Sequence, residues 1–478
     1  MRVRATTLIA LSCVSCATFG APRHERTNVL FIIADDLTAS ALACYGNEQC
    51  KTPNLDRLAR RGVRFTRAYC QYPVCGPSRA ALMSGLYPQA NGVQSNGGAG
   101  KLAEALGERP TLGQHFIENG YYTARVSKIY HMRVPGDITA GVDGPDHVAS
   151  WTERFNCKGP EWMTAGDFEA LSNERLKRDP DKHYGLGFGT AFYVVRASPD
   201  AARQADAQAA DKAIELLRAH RDEPFFLALG LVRPHVPLVA PESYYRSYPA
   251  QQMKLAPSRE GDQDDIPEAG ISHYTSERRG LEDPETKRKV LSAYYAAVTF
   301  MDSQVGRVLD ELDALGLARN TVVVFSSDHG YHLGEHDFWQ KLSLHEESAR
   351  IPLIIAAPGV APAECASLVE QIDLYPTLAE LAGLAVPPHC QGKSLTALLD
   401  HPSRSVRDAA YTLCMGAHLL RTEHWAYMEY ADGEIELYDM RADPLQFTNL
   451  ARIPEHAGTV RELGRRLQAK LARLLPES

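Results

Sequence analysis
The chain has 478 residues, with 51 Lys+Arg against 59 Asp+Glu and a formal net charge of −8. Hydrophobic residues make up 44% and charged residues 23%, the balance of a globular protein, which excludes collagen-like, disordered and multi-span membrane chains. The acidic balance argues against broad nucleic-acid binding, and ten cysteines at this length are too few for a disulfide scaffold.

Arg2 and Arg4 form a short basic start, and an apolar, small-residue stretch follows to Ala17. Ser15-Cys16-Ala17 offers a small-x-small cleavage site, so residues 1–17 read as a secretory leader of an exported, secreted or periplasmic protein. Cys16 is the alternative, as a lipid-anchored N-terminus. No other stretch reaches the ~18 apolar residues of a transmembrane span.

Val29–Ala34, Phe225–Leu229 and Thr321–Phe325 are continuous apolar runs, the pattern of strands covered on both faces. Between the last two, Val290, Tyr294, Val298, Met301, Val305, Val308 and Leu312 recur at helical spacing. Strand, helix, strand in this order predicts an α/β architecture with a mostly parallel sheet. The stretch Gly136–Lys182 carries no clear periodicity and reads as surface loops.

The texture changes after Pro387-Pro388 and before Pro402. Leu419–Thr422, Trp425–Met428 and Glu434–Tyr438 read as short strands, and a helix runs roughly over His456–Leu475. The expected organisation is therefore a catalytic domain over 26–390 and a smaller α+β subdomain over 400–478 with an antiparallel sheet.

In doubly wound sheets, ligands sit beyond the carboxyl ends of the strands. The first run leads straight into Asp35-Asp36, and the third passes through Ser326-Ser327 into Asp328-His329-Gly330. Three carboxylates leaving two strand ends repel one another unless a cation lies between them. Oxygen ligands suit a hard ion, Ca²⁺ or Mg²⁺. In Cys75-Gly76-Pro77-Ser78-Arg79, Pro77 suits the first turn of a helix, which places Cys75 at its positive end. His329, His332 and His336 suggest a zinc site, but Gly330 and Gly334 break the helix such spacing needs. His332 is therefore expected on a loop surface or substrate rim.

Cys75-x-Pro77-Ser78-Arg79 with Ser84-Gly85 resembles the signature of type I sulfatases, which usually have Thr at the Ser84 position. Lys128-Ile129-Tyr130-His131 resembles the family's Gly-Lys-x-x-His segment, with Ser127 in place of Gly. Arg233-Pro234-His235-Val236-Pro237 is similar to its Lys-Pro-His-x-Pro element, with Arg for Lys. Asp328-His329-Gly330 through Lys341 resembles its second metal segment, and the Tyr294-Tyr295-Ala296 helix is most similar to iduronate-2-sulfatases.

The resemblance implies the alkaline-phosphatase-like sulfatase fold. It also implies conversion of Cys75 to formylglycine by a maturing partner, a formylglycine-generating enzyme or an anaerobic maturase. Asp35, Asp36, Asp328 and His329 would bind one Ca²⁺ together with modified Cys75. Arg79, Lys128 and Lys341 would hold the sulfate, His131 would assist the hydrated aldehyde, and His235, or Lys341 beside it, would protonate the leaving oxygen. The implied substrate is a sulfated sugar, with a 2-O-sulfated uronate of a polysaccharide or glycosaminoglycan fragment the leading candidate. The alternatives are a phosphonate or phosphodiester hydrolase of the same superfamily, and an inactive sulfated-glycan-binding protein if Cys75 stays unmodified.

Overall fold
The computed structural model describes residues 26–172, 189–201 and 203–474. The leader 1–17, Cys13 and Cys16, and the end of the Gly136–Lys182 stretch lie outside the described residues. Eight strands build the main sheet: β1 (Asn28–Asp35), β2 (Val63–Tyr69), β3 (Tyr122–Ser127), β4 (Glu153–Phe155), β5 (Phe225–Pro234), β6 (Thr321–Ser327), β7 (Arg350–Ala356) and β8 (Ala363–Glu370). Their order is β8-β2-β7-β6-β1-β5-β3-β4. Only β7 runs antiparallel to its neighbours, and every other pairing is parallel.

Four helices carry most of the packing: α1 (Cys75–Ser84), α2 (Ala205–Ala219), α3 (Pro284–Ala314) and α4 (Leu374–Leu381). The continuous apolar run of β1 is explained by its two faces. Leu30, Ile32 and Ala34 pack with Ala209 and Ala213 of α2 and Val298 and Met301 of α3. Val29, Phe31 and Ile33 pack on the other face with Leu82 and Met83 of α1 and Leu374 and Leu378 of α4. Each fully buried Val, Leu, Ile or Phe contributes about 1.5–3 kcal/mol. α3 starts where Asp283 accepts from the Thr286 N–H at 2.8 Å and Pro284 occupies its first turn.

The Gly136–Lys182 stretch is more ordered than its sequence implied. β4 adds to the edge of the main sheet, and Gly166–Ala170 pairs with Tyr193–Ala197 in a three-stranded sheet completed by Leu238–Pro241. Only three to five residues long and largely exposed, Glu153–Phe155 and Gly166–Ala170 carry no hydrophobic period to read.

The C-terminal part is an antiparallel meander, β9 (Ala409–Cys414), β10 (Ala417–Thr422), β11 (Trp425–Glu429) and β12 (Ile435–Asp439). Helix α5 (Ala457–Leu471) lays Leu463 and Leu467 onto it beside Tyr427 and Leu437. Arg407 forms buried ion pairs with Glu370 at the end of β8 and with Asp373, tying this sheet to the main one. No helix among the described residues is long and apolar enough to cross a membrane.

Candidate active site
β1 and β6 are direct neighbours in register, Ala34 opposite Ser327, so their last residues deliver Asp35, Asp36 and Asp328 side by side. Asp36 turns off the strand with φ 61°, a left-handed conformation of the kind that concentrates at functional sites. Two contacts hold the turn. The Tyr294 hydroxyl of α3 donates to Asp36 O at 2.7 Å and accepts from Thr38 N at 3.1 Å. The Asp36 N–H donates to Asp328 Oδ1 at 3.2 Å.

α1 begins at Cys75 and every one of its residues is buried. Cys75 Sγ lies 3.4 Å from His329 Nε2, 3.4 Å from Lys341 Nζ and 3.8 Å from Asp36 Oδ1. Four residues on, Arg79 is directed to the carboxylates rather than into open space. Its Nε donates to Asp328 Oδ2 at 2.9 Å and Nη2 to Asp35 Oδ1 at 3.1 Å, and Nη1 donates to the carbonyls of Lys128 and Ile129. Lys128 pairs with the other oxygen of Asp35, and Lys341 Nζ donates to Asp36 Oδ1 at 2.6 Å. His235 Nε2 stands 3.7 Å from Asp36 Oδ2. All these side chains are buried, and His131 lines the same region with Nδ1 unpartnered.

Charge sets the protonation states. Burial pushes Asp35 upward, but Lys128, His235 and Arg79 hold it well below the usual carboxylate range. Asp36 is lowered against the same burial by His235, Lys341 and His329. Lys341 is raised well above its ordinary value despite burial, because Asp36, Cys75 and Asp35 surround it. Burial lowers His235 to about 4. Burial and then Lys128 keep His131 well below its usual value, and burial with the charge of Asp35 pushes the Cys75 thiol well up.

The donors fit a cation. His329 Nδ1 lies 2.8 Å from the Gly330 carbonyl, a contact that orients the ring and turns Nε2 toward the carboxylates. Nε2 stands 3.3 Å from Asp36 Oδ1 and 3.7 Å from Asp328 Oδ1. Carboxylates crowded together are relieved by a positive ion among them, and three of them select a hard one. Among the described residues, two clusters bring at least three metal-ligating atoms within 4.8 Å: Asp35, Asp36, Cys75 and His235, and Cys75, Asp328 and His329. Both contain Cys75. The structure therefore brings together Cys75, Arg79, Lys128, His131, His235, Lys341, Asp35, Asp36, Asp328 and His329 in one pocket.

One expectation is corrected. His332 is 0% exposed, not on a surface or rim. It packs against Phe338, His336 and His345 with ring centroids 5.6, 6.4 and 6.3 Å away. Gly330 permits the inward path: a Cβ there would lie 2.0 Å from Glu347 O, so the close backbone approach is open to glycine alone. Ser78 of the Cys75–Arg79 motif braces the site from behind. Its Oγ donates to Gln371 Oε1 at 2.7 Å and Gln371 Nε2 donates to Ser327 O at 2.7 Å, linking α1, the turn before α4 and β6. Glu161, buried beside Arg233, carries no sequence signal of its own.

A hydrolase site of this kind, on a sheet with the alkaline-phosphatase-like arrangement, is matched by the comparisons. The family model described as Sulfatase matches residues 27–384, and that of the N-sulphoglucosamine sulphohydrolase C-terminal region matches residues 334–473. The chain belongs to the sulfatase family and is a sulfuric ester hydrolase. It is 33% identical to a sulfatase of Formosa agariphila over 469 residues, covering 94% of this chain and 89% of that one. It is also 33% identical to the iduronate 2-sulfatase of Homo sapiens over 407 residues, 77% and 70% of the two chains. The phosphonate monoester hydrolase of Agrobacterium radiobacter shares the fold, with a TM-score of 0.75 at 24% identity over 94% of this chain and 96% of that one.

Proposed function
We propose that the protein hydrolyses a sulfate ester of an anionic sugar, a 2-O-sulfated uronate of a polysaccharide or glycosaminoglycan fragment, with Cys75 converted to formylglycine and one Ca²⁺ held beside it. The observation that carries this reading is the placement of Cys75 Sγ within 3.8 Å of Asp36, His329 and Lys341 at the start of a buried helix. The sugar follows from the 33% identity to an iduronate 2-sulfatase. Asp35, Asp36, Asp328 and His329, with residue 75, would hold the ion. A formylglycine hydrate supplies one hydroxyl to attack sulfur and a second to release sulfate, and calcium supplies Lewis acidity.

The chain's own groups do the rest. Lys341 reaches both Asp36 and the residue-75 side chain, so its ammonium lies where sulfate charge develops. Lys128 and Arg79 bear on Asp35 and Asp328. They orient the ligating carboxylates and lend positive charge to the sulfate. His131 would take or return the proton of the hydrate, and His235, or Lys341 beside it, would protonate the leaving oxygen; Lys341 is the one held protonated, and His235 orients the oxygen that receives the proton. The catalytic domain spans 26–390, the C-terminal subdomain 400–478, and export removes the leader. The fold shared with a phosphonate monoester hydrolase favours phosphonate or phosphodiester hydrolysis as the second reading.

The test is turnover by protein co-produced with a maturing enzyme, read as sulfate release from a 2-O-sulfated uronate oligosaccharide and as 4-nitrophenol release from 4-nitrophenyl sulfate and bis(4-nitrophenyl) phosphate, with mass spectrometry across Cys75. Turnover of the sulfated uronate, an aldehyde mass at residue 75, and loss of activity on chelation that Ca²⁺ restores are expected. A strong preference for the diester, or an intact thiol in active enzyme, refutes the reading.

A further inference from the structure
Arg233 stands where the family element has lysine, and its surroundings explain what a planar fork does there. It is buried in β5, and Nη1 donates to His235 O at 2.6 Å and to Pro237 O at 2.7 Å. Nη2 donates to the carboxylate of Glu161, which is also fully buried. From the first turn of α2, Asp206 accepts from the Val232 and Arg233 N–H groups at 2.7 and 2.9 Å. The backbone is therefore gripped on both sides of His235: by Asp206 before it, and by Arg233 at and after it. A lysine ammonium is a point charge and lacks the fork that serves two carbonyls and a carboxylate at once.

Glu161 enters from the Gly136–Lys182 stretch, 72 residues away in sequence. Its backbone has φ 48°, a conformation that persists only where the surroundings over-determine it. Thr164 fixes it through two bonds to Glu161 O, from N at 3.0 Å and from Oγ1 at 2.7 Å. Its second carboxylate oxygen, Oε1, is buried with no partner. The arrangement commits Glu161 to Arg233.

We infer that Glu161, Arg233 and Asp206 form a bracket that sets the position of His235 over Asp36 and residue 75, which makes Glu161 and Arg233 positioning residues for the reaction. The inference rests on the proposed role of His235 in the sulfate pocket. The bracket's hydrogen bonds go to backbone and to one another, not to Asp35, Asp36, Asp328 or residue 75. Its effect passes through the His235 backbone, whose imidazole Nε2 is 3.7 Å from Asp36 Oδ2. Misplacing such a group by about 1 Å is enough to cost ~100-fold in rate.

The experiment uses matured full-length protein and a series of sulfate esters from 4-nitrophenyl sulfate, a good leaving group, to a sugar sulfate, a poor one. Wild type, H235A, E161Q, R233K and the double variant E161Q/H235A are compared. E161Q is expected to lower kcat on the sugar ester about 10–100-fold with KM nearly unchanged, and to lose far less on the aryl ester. R233K retains the charge and is expected to fall between. Added to H235A, E161Q is expected to cost less than about twofold, because both act through one group.

Equal losses on every ester, or losses that multiply in the double variant, refute the bracket. If H235A itself shows no dependence on the leaving group, the assigned role of His235 fails, and non-additivity still decides whether the bracket acts through it. Thermal melts of each variant monitor folding. If E161Q fails to fold, R233K and R233K/H235A carry the same comparisons.

Discussion
Ser127 shows how a single residue can keep a loop and pay for it. It holds φ 59° at the end of β3, and its hydroxyl is buried without a partner. The left-handed conformation costs a non-glycine residue about 1–2 kcal/mol, and a lone buried hydroxyl adds about 1 kcal/mol more. A glycine would carry neither penalty, though it would loosen the unfolded chain. S127G is therefore expected to stabilise the protein by about 1 kcal/mol in a denaturant titration and to leave Lys128 in place; a destabilised variant refutes this. Serine in place of the family's glycine thus preserves a left-handed backbone here. Legibility at this scale follows chain locality. Asp35, Asp36, Asp328 and Cys75 could be found because each lies at a strand end or helix start. Glu161 could not, and Tyr294 was legible as a helix position but not as the hydroxyl that holds Asp36, because what makes these groups matter is a partner brought by folding from 72 or 258 residues away.

Among the elements, β5 and the segment after β3 approach so closely that only glycine fits between them. A Cβ on Gly230 would lie 2.1 Å from Lys128 O, and that is backbone, which cannot swing aside. G230A is expected to cost about 1–3 kcal/mol by overpacking and to push Lys128 off Asp35, so sulfatase activity falls at least tenfold at a position remote from substrate. Unchanged kcat/KM overturns that expectation. A second case concerns Asp302 of α3, which accepts from Leu55 N at 2.8 Å and from Asn54 Nδ2 at 2.8 Å. Burial raises its pKa to about 6. The unfolded carboxyl titrates near 4, so between pH 4 and 6 the folded chain holds a proton that the unfolded chain has released. Stability from this group is present below pH 4 and is lost as pH rises to about 6, by on the order of 1–3 kcal/mol. D302N is expected to flatten that part of the stability–pH curve, and an unaltered slope counts against the assignment. The elements legible in the sequence are those with a strong apolar run or period: β1, β5, β6, α3, three strands of the meander and the C-terminal helix α5. β4 and Gly166–Ala170 were missed because they pair through backbone alone, with most side chains in water.

Across the whole molecule, the parallel core and the C-terminal meander share buried charge as well as apolar surface. Arg407 bridges to Glu370 and Asp373, Glu370 also accepts from Tyr411 N at 2.8 Å, and Lys470 of α5 donates to Tyr87 OH at 2.6 Å. Removing one member of such a buried pair costs about 3–5 kcal/mol, so these contacts couple the meander to the parallel core.

The complete burial of α1 carries a consequence for the order of events in the protein's life. Cys75 is 1% exposed, and every residue of the helix around it is buried. A maturing enzyme must grip the chain on both sides of the thiol, which asks for far more exposed backbone than the access a sulfate group needs. The proposed conversion of residue 75 therefore has a deadline, and folding sets it. Purified, folded, unmodified protein incubated with a maturing enzyme is expected to keep its thiol. The same chain presented unfolded, or as a peptide spanning 70–90, is expected to be converted. Efficient conversion of the folded form would mean that α1 opens on the timescale of the assay. With folding as the deadline, a variant that folds more slowly gains maturation time while losing stability, so yield of active enzyme and thermal stability need not rise together.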